Sequence, residues 1–357
     1  MSDPTYDLQR SYRWNYDNGP VYQGPLPKPT DQAKEQFLGR TVNSTFGIAA
    51  GPLLNSRWVS LYASLGFDIL TYKTVRTRKW PCYAGPNIVV LDTVDQLSGN
   101  EVKEKVLART DLPADPREIS LAISFGMPSA APEVWQKDVS KCKAALRPGQ
   151  LLVVSVVGSC RQGQGQGINQ LAEDFALCAQ LAVEAGADVI ETNYSCPNVR
   201  GPEGRLFCRP EQASLVARRV REKMGDIPFL AKIGTLTEPS LIRELLVKLS
   251  PFLDGITLTN GLVRRVVKSD STTPVFPRRP SAGVVGTCIR DLAQETVATF
   301  RRIALENDIF LTWVAVGGVA SPEDAENLYL AGADAVLCGT GAIFIPELAQ
   351  QLRGREA

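Results

Sequence analysis

Histidine is missing altogether from the 357 residues. Its absence excludes Ser-His-Asp and Cys-His catalysis, H-E-x-x-H zinc sites and 2-His-1-carboxylate iron sites together. Proton transfer near neutral pH then falls to cysteine, lysine, tyrosine or a carboxylate. A dominant charge is missing too. Lys plus Arg number 39 against 38 Asp plus Glu, so no field gathers a nucleic acid or an anionic membrane, and the expected partner is a small molecule. No apolar run approaches the roughly 18 residues that a membrane span requires. The opening stretch, MSDPTYDLQRSYRWNYDNGP, is polar and aromatic and has no apolar signal region, so a soluble, cytoplasmic, unanchored protein is expected. The cysteines Cys82, Cys142, Cys160, Cys178, Cys196, Cys208, Cys288 and Cys338 include no C-x-x-C pair. They read as free thiols, most of them small core residues, with no metal or iron–sulfur ligand set among them.

What is present is ordinary globular composition, 44% hydrophobic and 22% charged, enough for one large core or two smaller ones. Short apolar runs rich in β-branched residues alternate with longer amphipathic stretches, the pattern of successive βα units around a parallel sheet. Strands are predicted at 45–49, 68–72, 151–156, 188–192, 228–232, 255–259, 311–316 and 335–338. Helices are predicted at 56–65, 132–145, 170–185, 210–224, 238–249, 291–306, 322–331 and 343–352. End signals are legible in places: Ser321-Pro322-Glu323-Asp324 supplies an N-cap, a first-turn proline and acids, and Gly332 marks the same helix's stop.

Eight units suggest an α/β fold closed as a (β/α)8 TIM barrel, because closure removes both sheet edges. Residues 1–40 form an N-terminal extension over the barrel's outside or bottom, and 41–357 form a single barrel domain. Long stretches at 74–131 and 261–290 become insertions at the C-terminal rim, where active-site covers are built. Arg264-Arg265 and Arg278-Arg279, inside the second insertion, read as a solvated rim. The run Gln162 to Gly167 reads as a cap segment, since no Gly-Lys context makes it a phosphate loop.

In such a barrel the strand ends should carry polar groups toward one site. They do: Lys73-Thr74, Ser155, Glu191-Thr192-Asn193, Lys232 and Thr259-Asn260 end five different strands. Any one alone reads as a solvated loop residue, but their convergence reads as a site. Gly317-Gly318 and Gly339-Thr340-Gly341 follow strands seven and eight, where bare main chain can approach a phosphate. Each glycine pair alone would be a tight turn. Cys196 sits in the Pro-containing loop after strand four, with a thiol whose ordinary pKa of about 8.5 suits proton transfer. Asn193 and Asn198 flank it and offer uncharged amides to a polar planar ligand.

The string Asn193-Tyr194-Ser195-Cys196-Pro197-Asn198 followed by Gly201 resembles the N-x-S-C-P-N segment of the class 1 dihydroorotate dehydrogenases, with dihydropyrimidine dehydrogenase a near neighbour. Ala49-Ala50-Gly51-Pro52, Tyr72-Lys73-Thr74, Ala231-Lys232-Ile233, Thr259-Asn260, Gly283-Val284-Val285-Gly286, Gly317-Gly318-Val319 and Gly339-Thr340 extend the likeness through nearly the whole barrel. The resemblance implies one FMN across the barrel mouth, its phosphate on Gly317-Gly318 and Gly339-Thr340 and its pyrimidine end near Lys232. Ala49, Ala50, Gly51, Lys73, Thr74, Ser155, Asn193, Thr259 and Gly286 are implied as further cofactor contacts. It implies Cys196 as the acid/base group, and Lys73, Asn193, Asn198 and Asn260 as substrate contacts. Relatives of this type are often homodimers.

One stretch departs from the resembling family. Its substrate loop N-S-M-G-L-P-N corresponds to Ile123-Ser124-Phe125-Gly126-Met127-Pro128-Ser129 here, so two amides are replaced, and Gly261 stands where Ser or Thr is usual. Each lost partner for a buried polar group costs roughly 1–3 kcal/mol. The expected activity is therefore hydride transfer between FMN and a small polar ring or α,β-unsaturated substrate other than dihydroorotate. A genuine dihydroorotate dehydrogenase is the alternative, and a flavin-free barrel acting as a binding protein is the alternative of another class. A phosphate-substrate aldolase or isomerase would explain the glycine turns but not the Cys196 loop.

Overall fold

The β-branched runs become eight short strands: β1 Phe46–Ile48, β2 Ile69–Val75, β3 Leu151–Val156, β4 Val189–Asn193, β5 Phe229–Ile233, β6 Gly255–Leu258, β7 Thr312–Val316 and β8 Ala335–Cys338. In the computed structural model they close, all parallel and in chain order, into one barrel. The structure describes residues 3–29, 34–93, 96–99, 105–159, 167–197, 201–276 and 279–354. The predicted (β/α)8 architecture is thus present. Outer helices Ser56–Ser64, Pro132–Ala145, Ile168–Glu184, Pro210–Met224, Pro239–Leu249, Arg290–Leu305 and Pro322–Leu330 follow the amphipathic pattern. Ser321 caps the last of these by accepting from the Asp324 N–H, as its sequence signal anticipates. The helix expected over 343–352 is instead two pieces, Thr340–Phe344 and Leu348–Arg353. Pro346 between them cannot donate into the helical ladder and restricts the residue before it.

The strand register fixes which side chains fill the barrel. Thr71 pairs through Val153 to Val189, Glu191 through Leu230 to Gly255, Thr257 through Val314 to Ala335, and Leu337 through Gly47 to Ile69. Advancing two residues per pair of strands therefore links Thr71, Glu191, Thr257 and Leu337 and returns to Thr71. That is one four-residue layer drawn from alternate strands. By the same stepping Ala49, Ser155, Lys232 and Val316 form the layer above it. Lys73, Asn193, Thr259 and Gly339 form the mouth. Below, Ile69, Leu151, Val153, Val189, Leu230 and Val314 make the interior apolar, and Phe37 and Val42 of the hairpin Glu35–Phe37/Arg40–Val42 close the bottom against them.

The two long insertions do not form separate covers. Strands Ile88–Leu91, Lys105–Arg109 and Ser120–Ile123 from the first pair with Leu262–Val267 and Ser281–Gly286 from the second, closing a small five-stranded sheet over the mouth. Its own core includes Leu91, Val106, Ala122, Val266, Phe276 and Val284. Two of the arginines expected on a solvated rim are used here instead. Arg264 is buried and donates to the carbonyls of Val263 and Ser98. Arg279 donates to Ser124 O at 2.9 Å and to Ala84 O at 2.8 Å, its guanidinium 4.4 Å from the Tyr83 ring centroid. Arg265 is exposed, and Arg278 lies outside the described residues.

The N-terminal extension does two jobs rather than one. Its hairpin lies at the barrel bottom, and its earlier part climbs to the other end. Thr5 N–H donates to Ile343 O at 2.9 Å, and the helix Tyr12–Asn18 places the Tyr12 ring beside Phe125.

Candidate active site

A bulge decides how β2 reaches the mouth. Tyr72 pairs with Val154 and Val75 with Val156, so Lys73 and Thr74 both oppose the single residue Ser155. Such an extra residue turns two neighbouring side chains to one side. Lys73 borders the cavity, and Thr74 does so while sharing a 2.9 Å hydrogen bond with Ser155, which backs it from below.

From β4, Asn193 is anchored in a side-chain network. Asn260 Nδ2 donates to Asn193 Oδ1 at 3.3 Å and to Ser195 Oγ at 3.2 Å, and Ser195 N–H donates to Asn193 Oδ1 at 3.2 Å. Ser195 Oγ and Tyr194 N–H both donate to the Lys232 carbonyl, at 3.1 and 2.9 Å. These bonds pin the start of the loop to β5 and carry Cys196 to the cavity wall beside Pro197. Cys196 is 6% exposed, so its thiol is sheltered yet borders the space a ligand would fill.

Lys73 is almost fully enclosed. Its Nζ lies 5.6 Å from the Tyr12 ring centroid and 5.5 Å from that of Phe125. Burial strips water from the ammonium and lowers its pKa from 10.5 to about 8, while the negative forms of Cys82 and Cys196 act in the opposite direction. Burial also pushes the Cys82 thiol up to about 11, with Lys73 and Arg279 drawing it back. Lys232 is buried on the adjoining wall.

The far side of the cavity is bare main chain. Gly317, Gly318 and Gly286 adopt φ of +144°, +75° and +101°. A Cβ at Gly318 would stand 2.5 Å from Arg290 Cα, and one at Gly286 2.5 Å from Ile119 O, so only glycine fits either position. Gly51 and Gly339 border the cavity with open space where a side chain would be. Ala49, Ala50, Thr259, Asn260 and Thr340 complete the predicted set along the same cavity. Asn198 and the run 162–166 lie outside the described residues.

The structure adds walls that the residue pattern did not assign to the site. Tyr6 from the N-terminal segment, Leu54 and Ile88 line the cavity with Ile123, Phe125 and Met127 of the expected substrate loop. The dense Tyr and Trp content of the first twenty residues was the available signal. It was legible as unusual but not as a site, because nothing local says which end of a barrel an extension reaches. Among the described residues no group of His, Cys, Asp and Glu could hold a metal ion, and no helix is long and apolar enough to cross a membrane.

Comparison with known proteins agrees with this geometry. The family model described as dihydroorotate dehydrogenase matches residues 123–352. A dihydroorotate dehydrogenase of Dictyostelium discoideum is 28% identical over 98% of this chain and 97% of the relative. The catalytic subunit of an NAD(+) type B dihydroorotate dehydrogenase of Maridesulfovibrio salexigens is 29% identical over 50% of this chain and 56% of its own. A solved dihydroorotate dehydrogenase from Eimeria tenella superposes with a TM-score of 0.70 at 17% identity, covering 92% of this chain and 85% of that one, a likeness of fold.

Proposed function

The chain belongs to the dihydroorotate dehydrogenase family, and from that premise we propose that it is an FMN-dependent oxidoreductase acting on a CH–CH bond, with Cys196 as its acid/base group. The observation that carries this reading is the meeting of Cys196, Lys73 and Lys232 with the glycine turns in one cavity. The residues suit a flavin phosphate on their own terms. Bare main chain at Gly317-Gly318 and Gly339-Thr340 lets N–H groups approach an anion, and open space at Gly51 and Gly339 leaves room for a flat ring. Lys232 supplies a cation along the same cavity, suited to the pyrimidine end.

When bound, FMN supplies the acceptor for the hydride leaving the substrate. The chain's own groups do the rest. The Cys196 sulfur takes the proton from the carbon next to the one losing hydride, and the loop bonds to Lys232 O fix where that sulfur sits. Asn193 and Asn260, locked together, present amide groups to a polar ring. Lys73, held against the adjoining Tyr12 and Phe125 rings, offers a positive charge that can meet a carboxylate or carbonyl. The enclosed walls keep water away from the transfer.

For the substrate, the cavity favours a ring other than dihydroorotate. Ile123 makes its wall apolar where the resembling family offers an amide, and Phe125 lines the same wall. Ser129, at the second replaced position, spends its hydroxyl on the main chain, accepting from Arg76 N–H at 3.0 Å and donating to Ala130 O at 2.8 Å. The second reading, dihydroorotate itself, is favoured by the relative of that name matching nearly end to end. Anaerobic mixing of the yellow protein with dihydroorotate tests both. Slow or absent bleaching, improved about tenfold or more by Ile123→Asn, is expected from the 1–3 kcal/mol of a restored polar contact. Fast bleaching by the unaltered protein would make dihydroorotate the substrate, and protein that never takes up FMN would sink the enzyme reading.

A further inference from the structure

The barrel layer of Thr71, Glu191, Thr257 and Leu337 is unusual in a core. Thr71, Glu191 and Thr257 are all 0% exposed, and Thr71 Oγ1, Thr257 Oγ1 and both carboxylate oxygens of Glu191 have no hydrogen-bond partner among the described residues. A carboxyl group in that position is strongly disfavoured unless something answers its charge or its hydrogen-bonding capacity. The register identifies what lies near. Glu191 and Leu230 are paired on β4 and β5, and Lys232 stands two residues further up β5 on the same interior face. Strands about 4.8 Å apart with a rise of about 3.3 Å per residue put the two Cα atoms about 8 Å apart, within reach of two long side chains or of one water between them. Lys232 is itself 4% exposed.

We propose that Glu191 is the buried counter-charge of Lys232, coupled to it through water held by the Thr71 and Thr257 hydroxyls, and that it positions the Lys232 ammonium at the floor of the active site. Four orphaned oxygens in one layer are the kind of set that an internal water satisfies, since such a water makes about three hydrogen bonds. The arrangement explains why a carboxylate is tolerated under an apolar wall: the lysine layer lies above it, while the two layers directly beneath it hold only Val, Leu, Ile, Ala and Gly. Glu191 touches neither substrate nor cofactor in this account. It acts through Lys232 by holding the head group in place and offsetting part of its charge.

The test is a double-mutant cycle on the full-length chain, with Lys232→Met, Glu191→Gln and the double variant unfolded in urea at one fixed excess of FMN. Lys232→Met strands the carboxylate, so a clear fall in the urea midpoint is expected, and adding Glu191→Gln should recover more than half of it. Losses that simply add would overturn the pairing. Should Lys232→Met fail to fold, a folded double variant carries the same support, and failure of both overturns it. A second readout rests on the functional reading above: with the counter-charge removed, Glu191→Gln should shift the flavin midpoint potential positive, and an unchanged potential would overturn the positioning role. Protein that binds no FMN would count against the functional reading while the cycle stays readable.

Discussion

Lys73 and Phe125 are stacked as cation on ring, the ammonium 5.5 Å from the ring centroid, and this contact couples the second barrel strand to the loop that covers the mouth. It also sets how the site responds to pH. Burial lowers the lysine to about 8 from 10.5, so between those values the unfolded chain holds a proton that the folded chain has lost. Stability from this group therefore rises with pH across that window, and below about 8 it carries the full cost of a buried charge. Lys73→Met should compare more favourably with wild type in urea unfolding at pH 7 than at pH 9.5. An anionic ligand should bind progressively more weakly above about pH 8, by up to about tenfold per unit, and the same substitution should flatten that profile.

Cys196→Ser keeps the size of the side chain but replaces a readily ionised thiol by a hydroxyl that is a far weaker base. With FMN bound, the absorption spectrum should be unchanged, while reduction by substrate in a stopped-flow experiment should slow by about 10²–10⁴-fold, the usual span for general-base catalysis. Unaltered reduction would remove Cys196 from the mechanism.

Two glycines at the proposed phosphate end should separate folding from cofactor binding. Gly318→Ala forces a positive φ on alanine and drives its Cβ toward the Arg290 backbone, so a stability loss of about 2 kcal/mol or more is expected together with weak FMN binding. Gly339 has φ of −128° and open space at its Cβ position. Gly339→Ala should unfold like wild type yet bind FMN less tightly, as read by fluorescence titration of the flavin.

At the opposite end, Phe37 is 2% exposed and packs into the lowest apolar layer. Phe37→Ala should cost about 3–5 kcal/mol by chemical denaturation, the range for removing a buried aromatic ring. The rate of flavin reduction in the folded fraction should hardly change, because the plug lies at the end of the barrel away from Cys196.

Much of this was legible in the sequence because period and position carry physical meaning. The run that became β3 lies between Gly149 and Gly158, the helices Pro132–Ala145 and Pro210–Met224 each open on a proline, and the predicted limits of all three match the observed ones. Lys73, Asn193, Lys232 and Asn260 could be assigned to one end because strand ends in a closed parallel barrel share one rim. Less was legible where meaning depends on distant partners. Nothing near Arg264 announced that its guanidinium would meet the Ser98 carbonyl. Nothing near Tyr6 announced its path to the mouth. The bulge that turns both Lys73 and Thr74 toward the ligand space is visible only once β2 is paired with β3.

The covering sheet is woven from strands supplied by two stretches of chain more than a hundred residues apart, with Ser120–Ile123 laid against Ser281–Gly286. Neither stretch can be exchanged alone without stranding the other's backbone N–H and C=O groups. Anyone grafting a relative's specificity onto this scaffold must therefore transplant both segments as a matched set, and chimeras that swap a single loop should come out of the cell as aggregates.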